Sequence, residues 1–234
     1  MRSIALLIPL AWLASCASGP RIVATNSDTV LSVSSVAAAI VDADVIALGE
    51  LHKTPDVHRM HHELIAELYS RRPNKKNKII VLAANAPRPL ASKAAKEGIS
   101  AVMGDPNLAR ETTAPQDEYW YAFNEMMDGH AGMLGPGGME RYYASQCLKD
   151  DTMAEAITDY LKKQQAKGDR PLAILICGRA HSDHGRGTVQ RIKNRMPGVN
   201  VRILSAETVA DLGTGVYESP RDVADYVIVA AEPA

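Results

Sequence analysis

Four of the chain's seven histidines, His52, His58, His61 and His62, fall within eleven residues, directly behind a carboxylate at Glu50. A neutral imidazole carries protons near pH 7 and ligates transition metals. A carboxylate beside it can orient the ring, act as a ligand or move a proton itself. His58 stands one helical turn from His61 and His62, a spacing that can bring two imidazoles to one ligand. The run is not the His-Glu-x-x-His pattern of zinc peptidases, because only Glu63 follows His62 and no second histidine lies at helical distance beyond it. A further pair, His181 and His184, reads His-x-x-His inside the glycine-rich stretch Gly178-Arg-Ala-His181 to Gly185-Arg-Gly187. For His58, His61 and His62 a solvated helix face accounts for the pattern as well as ligation does. Glu50 and His52 differ, since two ionisable groups at the end of a buried strand are costly unless they pair.

Such chemistry needs elements to hold it. Val45-Ile-Ala-Leu48 is a short apolar run stopped by Gly49, Ile79 to Ala84 is a second that ends at Asn85-Ala-Pro-Arg88, and Pro171 to Cys177 is a third that ends at Gly178. Runs of this length and composition read as buried strands of a parallel sheet. Between them the pattern predicts helices over 32–41, 55–69, 89–96, 119–128, 139–165 and 188–195, a loop over 103–118, and further strands at 201–204 and 226–230. Strands alternating with helices give an α/β fold, a mostly parallel sheet flanked by helices. In such a sheet the three strand ends open on one rim, where open α/β sheets bind ligands. Glu50, His52, Asn85, His181 and His184 would converge there. On the long helix Tyr143, Gln146, Asp150, Met153 and Ile157 recur at steps of three and four, so polar groups share a core-facing stripe and imply a buried network or a site.

The chain opens Met1-Arg2-Ser3, runs apolar from Ile4 to Leu13 and then reads Leu13-Ala-Ser-Cys16. A basic start, a short apolar core and small residues before a cut describe a secretory signal, too short to span a bilayer as a mature helix. Cysteine behind Leu-Ala-Ser resembles the bacterial lipobox. That implies cleavage before Cys16, lipid on its thiol and amine, and a mature protein anchored to the cell envelope by acyl chains. Ala17, where inner-membrane retention would favour aspartate, points to the outer membrane. Residues 1–15 are then a signal peptide, 16–31 a lipidated tether of small polar residues, and 32–234 one domain. A formal net charge of −1 and 5% aromatic residues leave no basic stripe or stacking platform for nucleic acid. Cys147 and Cys177, in no Cys-x-x-Cys pair, read as small buried hydrophobes, with a disulfide between them left open.

Leu48-Gly-Glu-Leu-His52 through His61-His62, Ala84-Asn-Ala-Pro-Arg88, Gln146-Cys-Leu-Lys-Asp150-Asp-Thr-Met-Ala154, and Gly178-Arg-Ala-His181 with Gly185-Arg-Gly187 stand in family order. In this the chain resembles the ChaN-type haem-binding lipoproteins, within the superfamily of TIKI proteases and erythromycin esterases. The resemblance implies a ChaN/TIKI-like α/β fold and haem bound for uptake or storage of haem or iron, at a homodimer interface with tyrosine and histidine contacts. Carried onto this chain it gives a haem-binding set of Glu50, His52, His58, Asn85, Tyr143, His181 and His184, tyrosinate being a known haem ligand type. The superfamily's shared site falls on Glu50, His52 and His181. In the alternative reading these are the catalytic residues of a hydrolase, with Glu50 as base and, where a divalent metal takes part, His52 and His181 as its ligands. Family members carry a further strand ending in an acid, then helices, before the Asn-Ala-Pro-Arg element. Here a short basic loop, Arg71 to Lys78, stands in that place. The second acid of the superfamily site goes with it, which favours a binding protein over an enzyme.

Overall fold

Short strands of three to nine residues, apolar at their buried positions, build the centre of the molecule. The computed structural model describes residues 19–73, 78–82, 86–213, 217 and 220–233. Among them are seven strands: β1 (Arg21–Ala24), β2 (Thr29–Leu31), β3 (Val45–Glu50), β4 (Ile79–Leu82), β5 (Leu172–Gly178), β6 (Val201–Val209) and β7 (Tyr226–Ala231). They form one sheet in the order β2-β1-β7-β6-β3-β5-β4. β3 pairs parallel with both β5 and β6, β4 with β5, and β6 with β7. β1 runs antiparallel to both β7 and β2.

Helices α1 (Val33–Ile40), α2 (Pro55–Arg71), α3 (Arg88–Glu97), α4 (Glu118–Met127), α5 (Gly138–Gln165) and α6 (Gly187–Arg195) cover the sheet. Successive strand residues point to opposite faces, and β3 shows both. Ile46 and Leu48 pack with Val36 and Ile40 of α1 and Leu64 and Leu68 of α2. On the other face Val45 packs with Met153, Ile157 and Leu161 of α5 and Ile192 of α6. Start signals are local. Ser32 caps α1 by accepting from the Ser35 amide at 3.1 Å, and the Asp117 carboxylate accepts from the first amides of α4. Gly98 ends α3 at φ +94°, a conformation open to glycine at little cost.

The predicted tether over 16–31 is corrected by β1 and β2. Arg21-Ile-Val-Ala24 and Thr29-Val-Leu31 form a hairpin paired on β7, so the folded domain begins at the latest with Arg21. The polar turn between these short strands hides them in the sequence. β6 likewise runs five residues past the predicted end, as its last residues pair with β7 up to Val209 and Ala231. Between α2 and β4 the described residues hold no further strand.

One length mismatch shapes the rest. α5 has 28 residues, or roughly 42 Å at helical rise, whereas β5 has seven, roughly 23 Å. The C-terminal half of α5 packs on the sheet and leads back to the start of β5. Its first turns therefore overhang the edge where β3 and β5 end, and α4 packs there: Tyr119 and Phe123 of α4 close on Tyr143 and Cys147 of α5. Trp120 and Tyr143 meet edge to face at 5.0 Å.

Leu48 is fully buried at the centre of the sheet and Val81, on the edge strand, is 44% exposed. Leu48→Ala should lower stability by about 2–5 kcal/mol while Val81→Ala changes it by well under half of that; urea denaturation midpoints check this.

Candidate functional site

β3 and β5 are neighbours in register, with Glu50 opposite Gly178, so their loops leave the sheet side by side. Glu50 turns its carboxylate into a histidine pair. His52 Nδ1 lies 2.7 Å from Oε1 and His58 Nε2 3.4 Å from Oε2. Glu50 is largely buried while His52 is 87% exposed. Behind the pair, α2 sends His61 into the core. Burial, reinforced by His58 and His62, pushes its imidazole down to about 4, against a hydrogen bond to the Gly49 carbonyl. The histidine run therefore divides: His58 joins Glu50, His61 is a neutral core residue, and His62 faces solvent. The one-turn spacing thus places the three side chains in three different environments.

Across the strand boundary, His181 enters a buried network centred on Asp150 of α5. His181 Nδ1 donates to Asp150 Oδ1 at 2.7 Å, Thr188 Oγ1 donates to the same oxygen at 2.7 Å, and the Tyr119 hydroxyl donates to Oδ2 at 2.8 Å. In the neutral ring this contact puts the proton on Nδ1 and the lone pair on Nε2. The Gln146 amide donates to the Tyr119 hydroxyl at 3.1 Å and lies 3.3 Å from both ring nitrogens of His181. Burial beside Asp150 pushes the Tyr119 phenol far up, so it stays a donor. Close packing makes Gly187 obligatory. It sits at φ +52°, and a Cβ there would lie 2.7 Å from the His181 carbonyl and 3.1 Å from Asp150 Oδ1. The next residue, Asp151, is clamped by Arg191 Nε at 3.1 Å and Arg195 at 2.8 Å.

Glu50 and His181 flank Gly178, whose Cβ position would be 3.9 Å from both Glu50 Oε1 and His181 Cδ2. Two of the three predicted loops thus meet. Asn85, from the third, lies outside the described residues. His184 sits apart at φ +58° with Nδ1 3.2 Å from Asp222. It faces a small space of about 80 Å³ shared with Tyr119, Phe123, Met126 and Asp183. Burial pushes the Asp183 carboxyl up to about 6, against the Ser205 hydroxyl and Arg179. For the expected metal at His52 and His181, no group of three or more His, Cys, Asp or Glu among the described residues is arranged to hold an ion. Cys147 and Cys177 are buried free thiols, each pushed up to about 12 by burial, as expected of small buried hydrophobes.

A larger feature lies on the other side of Gln146. Between α3, α4 and α5 runs an open cleft of about 600 Å³, walled by Phe123, Met126 and Met127 and edged by Arg88, Lys96 and Lys149. None of Glu50, His52, His58, His181 or His184 lines it; Gln146 alone belongs to both the cleft and the network. Burial pushes the Lys149 ammonium down, with Asp150 opposing. The structure puts Tyr143, expected among the haem contacts, in the core beside the cleft and not on its wall. It is 2% exposed, its hydroxyl donates to the Pro115 carbonyl at 2.9 Å, and burial raises its phenol well out of reach. Its neighbour Tyr142, 38% exposed, is the tyrosine that lines the cleft. Helical phase separates them: with Cys147 and Gln146 facing inward, adjacent residues turn about 100° apart. Asp150, Tyr119 and Thr188 were missed as site residues. The stripe of polar groups on α5 was the signal for Asp150, and nothing local marked the other two.

His61 and Asp183 give opposite pH dependences. Unfolded, His61 takes its proton near 6.5, but folded it does so only near 4, so stability falls as pH drops through that window. Asp183 releases its proton near 3.8 unfolded but near 6 folded, so its contribution is lost as pH rises through that range. Asp183→Asn should steepen the loss of stability between pH 6.5 and 4, and His61→Asn should flatten it. Denaturation midpoints across that range provide the check, and superimposable profiles for all three proteins would contradict it.

A family model described as haem-binding uptake, Tiki superfamily, ChaN matches residues 72–192 of the chain. Among solved structures, ChaN of Campylobacter jejuni, described as binding haem cofacially, aligns with a TM-score of 0.63 over 92% of this chain and 98% of that one, at 13% identity. A succinoglycan biosynthesis protein aligns over 75% of this chain and 68% of that one at 11% identity, but its TM-score of 0.34 supports no argument. No curated protein matches the chain in sequence.

Proposed function

The chain belongs to the haem-binding uptake, Tiki superfamily, ChaN family, and from that premise we propose that it binds haem as cargo in the α3–α4–α5 cleft, on a protein anchored to the bacterial outer membrane by lipid on Cys16. One observation supports the choice of cleft. An exposed phenol, Tyr142, lines it together with aromatic and methionine side chains and three cations, Arg88, Lys96 and Lys149. Its volume of about 600 Å³ lies within the ordinary range for small-molecule sites, roughly 300–1,000 Å³. The residues fit the ligand's chemistry. A tetrapyrrole face needs flat apolar walls, its two carboxylates need cations, and ferric iron accepts a phenolate. Tyr142 is accordingly the residue assigned to the iron, in place of Tyr143. Gln146 connects the cleft to the Asp150 network, so the histidine-rich rim supports the cleft wall without touching the ligand.

Hemin titration of the mature domain should shift and sharpen the Soret band. Tyr142→Phe should abolish the tyrosinate spectrum and weaken binding at least tenfold, the equivalent of about 1.4 kcal/mol. Tyr143→Phe should bind hemin normally while losing about 1 kcal/mol of stability with its hydrogen bond. Wild-type behaviour in Tyr142→Phe would move the ligand elsewhere. Sizing the loaded protein reports whether a second copy closes the cleft, as the resemblance implies.

A second reading, hydrolysis, is favoured by the Asp150–His181 contact of 2.7 Å with Glu50 beside Gly178. A carboxylate-oriented imidazole next to a second acid is general acid–base equipment. Under this reading ester or peptide turnover is expected, lost in Glu50→Gln and retained in Tyr142→Phe. Turnover indifferent to Glu50→Gln would remove it.

A further inference from the structure

The cleft and the chain's entry point lie on the same edge of the sheet. β1 is antiparallel to β7, with Arg21 opposite Val229, near where β7 ends at Ala231. β7 and β6 finish together, Val209 opposite Ala231. The chain therefore enters the sheet at the carboxyl ends of the parallel strands, the rim that also carries Glu50, Gly178 and the overhanging start of α5. Four residues, 17–20, separate Cys16 from Arg21. Those five Cα steps reach roughly 17 Å at full extension. The parallel strands at the centre are six to nine residues long, roughly 20–30 Å. An acyl anchor at Cys16 thus cannot bring the opposite edge of the sheet to a bilayer, whereas the carboxyl rim is within its reach.

The overhang carries the apolar surface such a contact needs. α4 turns Tyr119 and Phe123 inward onto Tyr143. Tyr121 is 68% exposed on the same helix, and Met133, in the turn after it, is 77% exposed; Met126 at the cleft mouth is exposed as well. Tyrosine and methionine are suited to the headgroup–acyl boundary, where one end is wet and the other apolar. The exposed acids Glu118 and Glu125 beside them favour neutral headgroups over anionic ones.

Resting on the lipid-anchor reading of Cys16, we propose that the α4 overhang lies on the lipid surface, so that the cleft opens toward the bilayer and exchanges its amphipathic ligand with the lipid phase. The anchor strand and β5 are four neighbours apart in the sheet, roughly 19 Å, so one rigid face spans both contacts. A second copy of the chain is the competing occupant of the Tyr121–Met133 face, and the test separates the two.

Once the signal is cleaved, Trp120 of α4 is the only tryptophan left, since Trp12 goes with the leader. The ligand-free acylated chain, reconstituted into phosphatidylcholine–phosphatidylethanolamine vesicles carrying phospholipid brominated high on the acyl chain, should show quenched Trp120 emission. Added anionic lipid should not deepen the quenching. A Gly/Ser insertion between Gly19 and Pro20, long enough to reach roughly 25 Å, should stay with the vesicles yet lose the quenching. Tyr121→Glu with Met133→Glu should lose it too while keeping the hemin Soret shift. Vesicle-bound protein with unquenched Trp120 would overturn the proposal. So would Trp120 shielding that tracks dimer mass without lipid, which gives the face to a second copy. A wild-type chain that floats no better than Cys16→Ser would remove the anchor and this orientation together, leaving hemin binding by the cleft unaffected.

Discussion

The architecture around the site hangs on one buried carboxylate. Asp150 is fully buried and accepts hydrogen bonds from three side chains on three other segments: His181 after β5, Thr188 on α6 and Tyr119 on α4. An uncompensated carboxylate in that position would be prohibitive, and the three donors make it tolerable. In doing so they fix the loop after β5 against α5, seat the first turn of α6 and hold α4 on the overhang. Gly187 is the steric counterpart, since only a residue without a Cβ lets the His181 carbonyl and Asp150 approach as they do.

This arrangement separates the histidine-rich rim from the cleft beside it. At the rim, imidazoles and carboxylates are occupied with one another: His52 and His58 with Glu50, His181 with Asp150, His184 with Asp222. The cleft next door is lined instead by sulfur, aromatic carbon, one exposed phenol and three cations. Gln146 is the hinge between them, with its amide in the network and its body in the cleft wall. Any change in the His181 ring can therefore reach the cleft wall through one side chain.

The length of α5 is the second constraint. Because it outruns β5, its first turns stand free of the sheet and need a partner, which α4 supplies through the Tyr119–Phe123–Tyr143 cluster. The surplus creates both the cleft and the exposed Tyr121–Met133 surface. Neither would exist on a helix cut to the length of the strands it covers.

Much of this was legible in the residues. Val45-Ile-Ala-Leu48 and Pro171 to Cys177 announce buried parallel strands, and the alternation with helices fixes the α/β class, since one-dimensional periodicity directly reports which face of an element is apolar. Glu50 as a residue needing a partner followed from the cost of burying charge. The hairpin of β1 and β2 was not legible, because strands of four and three residues carry too few positions for a pattern and are strands only by pairing on β7. Nor could spacing say that Tyr142 faces the cleft and Tyr143 the core, or that His61 is buried while His62 is not. Adjacent residues on a helix differ only in azimuth, and only the packing of α5 against α4 and of α2 against the sheet sets that angle. The same holds for Asp150, Thr188 and Tyr119. Their types and chain positions were visible, but a network spanning almost seventy residues becomes one object only when the tertiary fold closes it.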